Sequence, residues 1–251
     1  MKMKIILSIG FLIGSFYNAN GQITHVSDEA EPKFDFSLDI KNMHLWRGYQ
    51  VTSGAMTGAS VFFQSGGNKN FKAGFWGGAG FDGKYKEVCF FINYKINGFF
   101  IDYLDSFNWT GYEETADIFS YNRNSTRHFI DVTLGYNFVD IPLRAAISTV
   151  VQGRDIYIGS NGKIQNRFSN YAELKYTAWS SEDTNLKVFA GGAFSAVDKT
   201  TFYSSKANFV NIGIECNKTL QINNFKLPLT ATFRINPEQK NGALEVAAHI
   251  F

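Results

Sequence analysis

Two cysteines, four prolines and four histidines are few for a chain of 251 residues, and each scarcity removes a class of protein. Cys89 and Cys216 cannot make a disulfide framework; they form either a single bridge or two buried free thiols. With His25, His44, His128 and His249 they give no zinc-type spacing, so no metal and no cofactor is expected. Charge is also sparse. Charged residues make up 18%, with 24 Lys+Arg against 22 Asp+Glu, which argues against a disordered chain and against a nucleic-acid partner. No apolar run reaches the roughly 20 residues of a membrane-spanning helix.

What is abundant is aromatic and small: Phe 25, Tyr 12 and Trp 4, with Gly 23 and apolar residues at 45%. Such a composition points to strands. The N-terminus is a separate matter. Lys2 and Lys4 precede an apolar run from Ile5 to Tyr17, and Ala19-Asn20-Gly21 is a small-x-small cleavage site. Residues 1–21 are therefore read as a secretory signal peptide. Cleavage would remove two lysines and no acids, leaving 22 charges of each sign. Residues 22–32 form a polar lead-in, expected on the periplasmic side, and 33–251 the folded part.

From Phe34 onward apolar and polar residues alternate strictly, as in a strand with unlike faces. Twelve segments repeat the pattern, at 33–47, 56–64, 71–82, 86–96, 98–107, 126–139, 142–152, 169–179, 185–196, 208–217, 227–236 and 243–251. Most are as long as a tilted membrane strand, which needs about ten residues, and longer than the five or six of soluble proteins. Pro32, Pro142, Pro228 and Pro237 lie at strand starts or in connections, where a sheet tolerates them. Tight turns, such as Ile96-Asn97-Gly98, alternate with long loops such as 108–125 and 153–168. The short 83–85 and the long 218–226 depart from this alternation. The fold class expected is all-β, a transmembrane antiparallel up-and-down barrel of about twelve strands in a Gram-negative outer membrane. A soluble two-sheet sandwich would also alternate, but not with this strand length, loop asymmetry and leader. The last strand ends at Phe251, an aromatic end suited to the barrel-assembly machinery, although parity sets Phe251 with Glu245 and His249 rather than with the apolar residues.

In such a barrel the polar face turns to the lumen, because a charge facing lipid at mid-depth costs roughly 2–4 kcal/mol. The candidate pore-lining residues are Asp35, Asp39, Lys41, Lys72, Glu87, Lys95, Asp102, Asp131, Arg144, Glu173, Lys175, Lys187, Glu215 and Arg234. Seven acids balance seven bases. They fit either a water-filled pore of weak charge selectivity or a charge ladder that fills the interior. Gly74, Gly77, Gly78 and Gly80 share one strand, where they relieve crowding if Trp76 swings across the lumen. The tryptophans Trp46, Trp76, Trp109 and Trp179 suit interfacial girdles, with Trp46 and Trp76 equally placed to be interior. A catalytic site is not expected. His128 follows Ser125 by three residues, which sets the two on opposite strand faces, and no third partner is evident.

The stretch Leu45-Trp46-Arg47-Gly48-Tyr49-Gln50-Val51-Thr52 resembles an early motif of the TorF-type porin family, and Phe71-Lys72-Ala73-Gly74-Phe75-Trp76-Gly77-Gly78 and Glu87-Val88 are similar to its next two strands. The likeness spans residues 36–105. Ala55-Met56-Thr57-Gly58 lacks the family's Pro-Ala, and Val88-Cys89-Phe90 replaces its Ile-Asp-Leu. The resemblance implies a porin without a settled substrate, marks Trp46, Arg47, Gly48 and Tyr49 as motif residues, and says more about architecture than about chemistry. The sequence therefore predicts a narrow diffusion channel whose partners are outer-membrane lipids and small solutes. Its alternatives are a plugged structural or surface-interaction barrel and, less favoured, an outer-membrane lipid hydrolase.

Overall fold

Alternation with period two asks for a sheet whose faces meet unlike surroundings, and this chain supplies it by closing the sheet on itself. The computed structural model describes residues 33–67, 69–111 and 117–251. The expected signal peptide and lead-in, 1–21 and 22–32, lie outside the described residues. The strands are β1 (Lys33–Lys41), β2 (His44–Trp46), β3 (Tyr49–Thr52), β4 (Met56–Gln64), β5 (Phe71–Gly80), β6 (Lys86–Ile96), β7 (Phe99–Asn108) and β8 (His128–Asn137). There follow β9 (Leu143–Gly153), β10 (Ile156–Ile158), β11 (Ile164–Asn166), β12 (Asn170–Ser180), β13 (Thr184–Phe194), β14 (Asn208–Ile222), β15 (Phe225–Asn236) and β16 (Asn241–His249).

Twelve of these form a closed barrel in the order β1-β16-β15-β14-β13-β12-β9-β8-β7-β6-β5-β4. Neighbours pair antiparallel, and β1 closes the circle by pairing with both β4 and β16. The all-β, twelve-strand architecture is the one the alternation predicts. The remaining strands form two small hairpins, β2-β3 and β10-β11, outside the barrel sheet. One end of the barrel carries the short turns and the other the longer loops; we call them the turn end and the loop end.

The two faces differ as the pattern requires. Phe34, Phe75, Leu134, Leu174 and Phe233 stand exposed on the outer wall, whereas Phe62, Phe100, Phe189, Asp131 and Arg234 are buried inside. Inward Trp76 lies flat across its neighbours: a Cβ on Gly58 would sit 2.9 Å from its Nε1 and one on Gly78 2.4 Å from its ring, so small residues there make room for the indole. Cys89 and Cys216 are free thiols.

Four expectations change. The first segment ends at Lys41 rather than at 47, because Asn42 caps the edge of β16 instead of extending β1. Its backbone N–H donates to the Val246 carbonyl, its side-chain amide donates to the Leu244 carbonyl, and its Oδ1 accepts from the Val246 N–H. The connection at 218–226 shrinks to Asn223-Asn224, since β14 and β15 pair out to Ile222 and Phe225; Asn223 turns the chain at φ 53°. Strict alternation through the segment 208–217 would set Val210 with Ile212 and Ile214 on the outer face, but Val210 is fully buried, because a bulge opposite Gly191 and Gly192 shifts the register of β14. Phe251 does not follow His249 inward: its ring packs edge-on to outward Phe36 at 5.1 Å.

Candidate functional site

The chain between β1 and β4 does not stay at the loop end; it folds into the barrel as the hairpin β2-β3. Its two-residue turn, Arg47-Gly48, has φ of 47° and 78°, positive at both positions as a type I′ turn requires. Gly48 is needed there for space as well as conformation. A Cβ would lie 2.0 Å from the Val210 carbonyl oxygen, so the turn rests directly on the backbone of β14. Asn236 on β15 donates its side-chain amide to the Gly48 carbonyl at 3.1 Å.

Arg47 fixes the tip to the far wall. Its two terminal nitrogens donate to the two carboxylate oxygens of Asp131, each at 2.8 Å, and also reach Tyr203 at 2.9 Å and Thr133 at 3.0 Å. A bidentate pair of this kind is among the stronger and most directional protein contacts. Asp131 is 1% exposed, so the pair is dry on that side. The guanidinium also lies 4.5 Å from the Trp46 ring and 5.5 Å from that of Tyr171. Trp46, interior rather than interfacial, packs edge-on to Phe129 at 5.1 Å and beside Tyr203 in a cluster with Val150 and Val210. The base of the hairpin is held by Glu245, which accepts the Leu45 N–H at 2.7 Å and lies 3.6 Å from Lys41 and 3.7 Å from His44. Tyr49 packs on Phe202 at 6.2 Å.

All fourteen predicted lumen residues share the inward face, but they do not form one balanced lining. On the β9–β15 side Lys175 and Lys187 both donate to Glu215, at 2.9 and 2.8 Å, and Arg144 lies 3.6 Å from Glu173, which also accepts from Tyr171. Arg234 is buried with one donor on Asn241 and its Nε and Nη2 unpartnered among the described residues. Near the turn end Asp35 meets Lys33, Asp39 meets His249, and Asp102 accepts from Asn93. Glu87 differs from the rest, since its donors are all neutral: Tyr85, Cys89, Ser106 and Asn108. Lys72 and Lys95 make no ion pair among the described residues, and Lys72 rests over the Phe62 ring at 3.5 Å.

The hairpin thus leans on one side of the lumen and leaves a cavity of about 590 Å³ on the other, between itself and the β4–β8 wall. The cavity runs from Arg127 and Arg154 at the loop end past Lys41 and Trp76 to Lys72 and Asn93 near the turn end. Arg127, Arg154, Tyr203 and Glu245 are absent from the fourteen predicted lumen residues. Glu245 was detectable from parity on the last strand, and Arg127 from its shared parity with Asp131 in the segment 126–139; Arg154 and Tyr203 lie in loops, where no periodicity reports direction.

His128 is placed on the outer face, away from this cavity. One ring nitrogen lies 2.6 Å from Asp105 and the other 2.7 Å from the Ile118 carbonyl. Tyr121 stacks on the imidazole with centroids 4.0 Å apart and donates to Asp105 at 2.8 Å. Burial and the bond to Asp105 push the Tyr121 hydroxyl up to about 12, so it remains a donor at neutral pH. Both imidazole nitrogens are taken up in fastening the loop before β8 to the outer wall. Among the described residues no serine hydroxyl approaches this ring in the arrangement that nucleophilic catalysis needs.

No family model and no curated protein matches the chain. Among solved structures it is similar to the NanC porin, with a TM-score of 0.44 and 11% identity over 85% of this chain and 99% of that one. It is also similar to the COG4313 outer membrane channel from Pseudomonas putida F1, with a TM-score of 0.37 and 11% identity over 93% and 98%.

Proposed function

We propose that the protein is an outer-membrane diffusion channel for small solutes, narrowed by the hairpin β2-β3. The observation that carries this reading is the cavity running beside the hairpin inside a closed barrel whose outer wall is apolar. A sheet closed on itself leaves no unpaired edge, which is what a strand protein must achieve in lipid. In this reading residues 1–21 are cleaved on export, 22–32 remain periplasmic with the turn end, and the last strand with Phe251 engages the assembly machinery. The fourteen inward charges act as lumen lining, those on the β4–β7 side in contact with solute.

A second reading, a plugged structural barrel, draws on the same hairpin: Arg47 and Asp131 would close the lumen permanently. Planar-bilayer recording of refolded protein separates the two. Discrete conductance steps support the channel, and an insulating, correctly folded barrel supports the plug. Correct folding is checked by the altered migration of unboiled barrel in SDS.

A further inference from the structure

Buried charges in this protein come in pairs, with Arg234 the exception among the described residues. Asp131, Asp155 and Glu245 each face a basic side chain, and Asp105 and His128 face each other. Arg234 is 1% exposed and has no carboxylate partner among the described residues. A guanidinium keeps its proton, so it cannot shed the charge as a buried lysine does. Its Nη1 donates to Asn241 Oδ1 at 2.8 Å, while Nε and Nη2 have no acceptor among the described residues. Those two N–H groups lie on the same side of the guanidinium. What is left open is therefore the side-on fork, the edge that grips an anion through two parallel bonds.

The strand register explains why no protein side chain fills the fork. Arg234 pairs with Gly213 on β14 and Ala243 on β16, neither of which carries an acceptor. The Phe189 ring covers Gly213, where a Cβ would lie 2.6 Å from it. Glu245, paired with Thr232 and so one diagonal step from Arg234, is turned to the hairpin base, where it accepts the Leu45 N–H at 2.7 Å and lies 3.6 Å from Lys41. Arg234 is also absent from the lining of the 590 Å³ cavity, so a solute there does not meet it. Its place is beside the two contacts that fasten the hairpin to this wall, Asn236 with the Gly48 carbonyl and Glu245 with the Leu45 N–H. A buried charge is costly unless it is paired. An enclosed, cationic fork between apolar neighbours suits a small anion and excludes a bulky one.

We propose that Arg234 binds a small inorganic anion of the size of chloride or bromide, and that the ion completes the seat of the hairpin beside its anchors at Gly48 and Leu45. The site is independent of conduction and serves a channel and a plugged barrel alike. In the test, the folded protein in detergent is unfolded in urea and followed by tryptophan fluorescence, with potassium bromide exchanged for potassium gluconate at constant ionic strength. Gluconate is too bulky for an enclosed fork, and an ion that binds only the folded state raises the midpoint by mass action. The midpoint is expected to rise with bromide, and amide exchange over 44–52 to slow with it. Crystals grown in bromide should show its anomalous scattering within hydrogen-bond reach of Nε and Nη2. Arg234→Gln should abolish the bromide dependence. Arg234→Lys, which keeps a charge but not the fork, should weaken bromide binding about tenfold, the worth of one charge-assisted hydrogen bond. Lys175→Gln should leave the dependence unchanged. No bromide at Arg234 in the crystals, or a bromide dependence that survives Arg234→Gln, overturns the proposal, and the wild-type crystals decide the point even if Arg234→Gln does not fold. Bromide at Arg234 with a midpoint that ignores it marks an adventitious ion only and equally overturns it.

Discussion

On the β8–β15 side of the lumen each predicted charge except Arg234 has an opposite charge within contact, and the hairpin is docked against that same side through Arg47, Gly48 and Trp46. On the β4–β7 side the side chains are of the same kinds, yet Lys72 sits on a ring, Lys95 makes no ion pair among the described residues, and Glu87 is satisfied by neutral donors. One side is therefore closed by mutual neutralisation and packing, and the other stays hollow. The difference does not come from composition, which is balanced overall. It comes from which strands become neighbours and from where one short hairpin lies.

Breaking the docked side at its anchor should have the largest effect. Asp131→Ala leaves the Arg47 guanidinium without its carboxylate beside a dry wall, and removing one partner of a buried pair typically costs roughly 3–5 kcal/mol. Urea unfolding followed by tryptophan fluorescence should show a large fall in midpoint; an unchanged midpoint would mean that the pair does not hold the hairpin. Gly48→Ala attacks the same contact from the backbone, through a Cβ 2.0 Å from the Val210 oxygen and a positive φ. Strain of this type costs about 1–3 kcal/mol. The expected result is a hairpin released from β14, seen as faster amide exchange over 44–52 with the barrel strands still protected.

Smaller effects sharpen the contrast between the sides. Glu215→Gln frees Lys175 and Lys187 and should change stability by about 1 kcal/mol or less, since the pairs are partly solvated. Its main readout is selectivity: the reversal potential in a salt gradient should move toward anions, because the neutralised side now carries positive charge. Smallest of all for transport is Asp105→Asn. It loosens Tyr121 and His128 on the outer wall, so exchange over 117–121 should rise while conductance stays at the wild-type value.

The barrel was legible because period-two alternation over strands of this length leaves few alternatives, and the same parity put all fourteen charges on one face. The hairpin was not. Apolar and polar residues continue through 44–46 as if β1 went on, and Arg47-Gly48 lacks the Asn-Gly or Asp-Gly signature that marks a type I′ turn. Nothing in the Trp46-Arg47-Gly48-Tyr49 stretch itself reports that the chain turns into the barrel there. The division of the lumen was also hidden, because it depends on contacts such as Lys175 with Glu215, 40 residues apart, that only the strand register brings together.

The central claim is that a hairpin held by Arg47 narrows a lumen that is otherwise passable. Single-channel conductance of the wild type and of Arg47→Ala, in matched planar bilayers, tests it most directly. The account predicts small, discrete openings for the wild type and larger ones for Arg47→Ala, whose hairpin has lost its hold on Asp131. Equal conductance in the two proteins, or none in either when both are correctly folded, would contradict it.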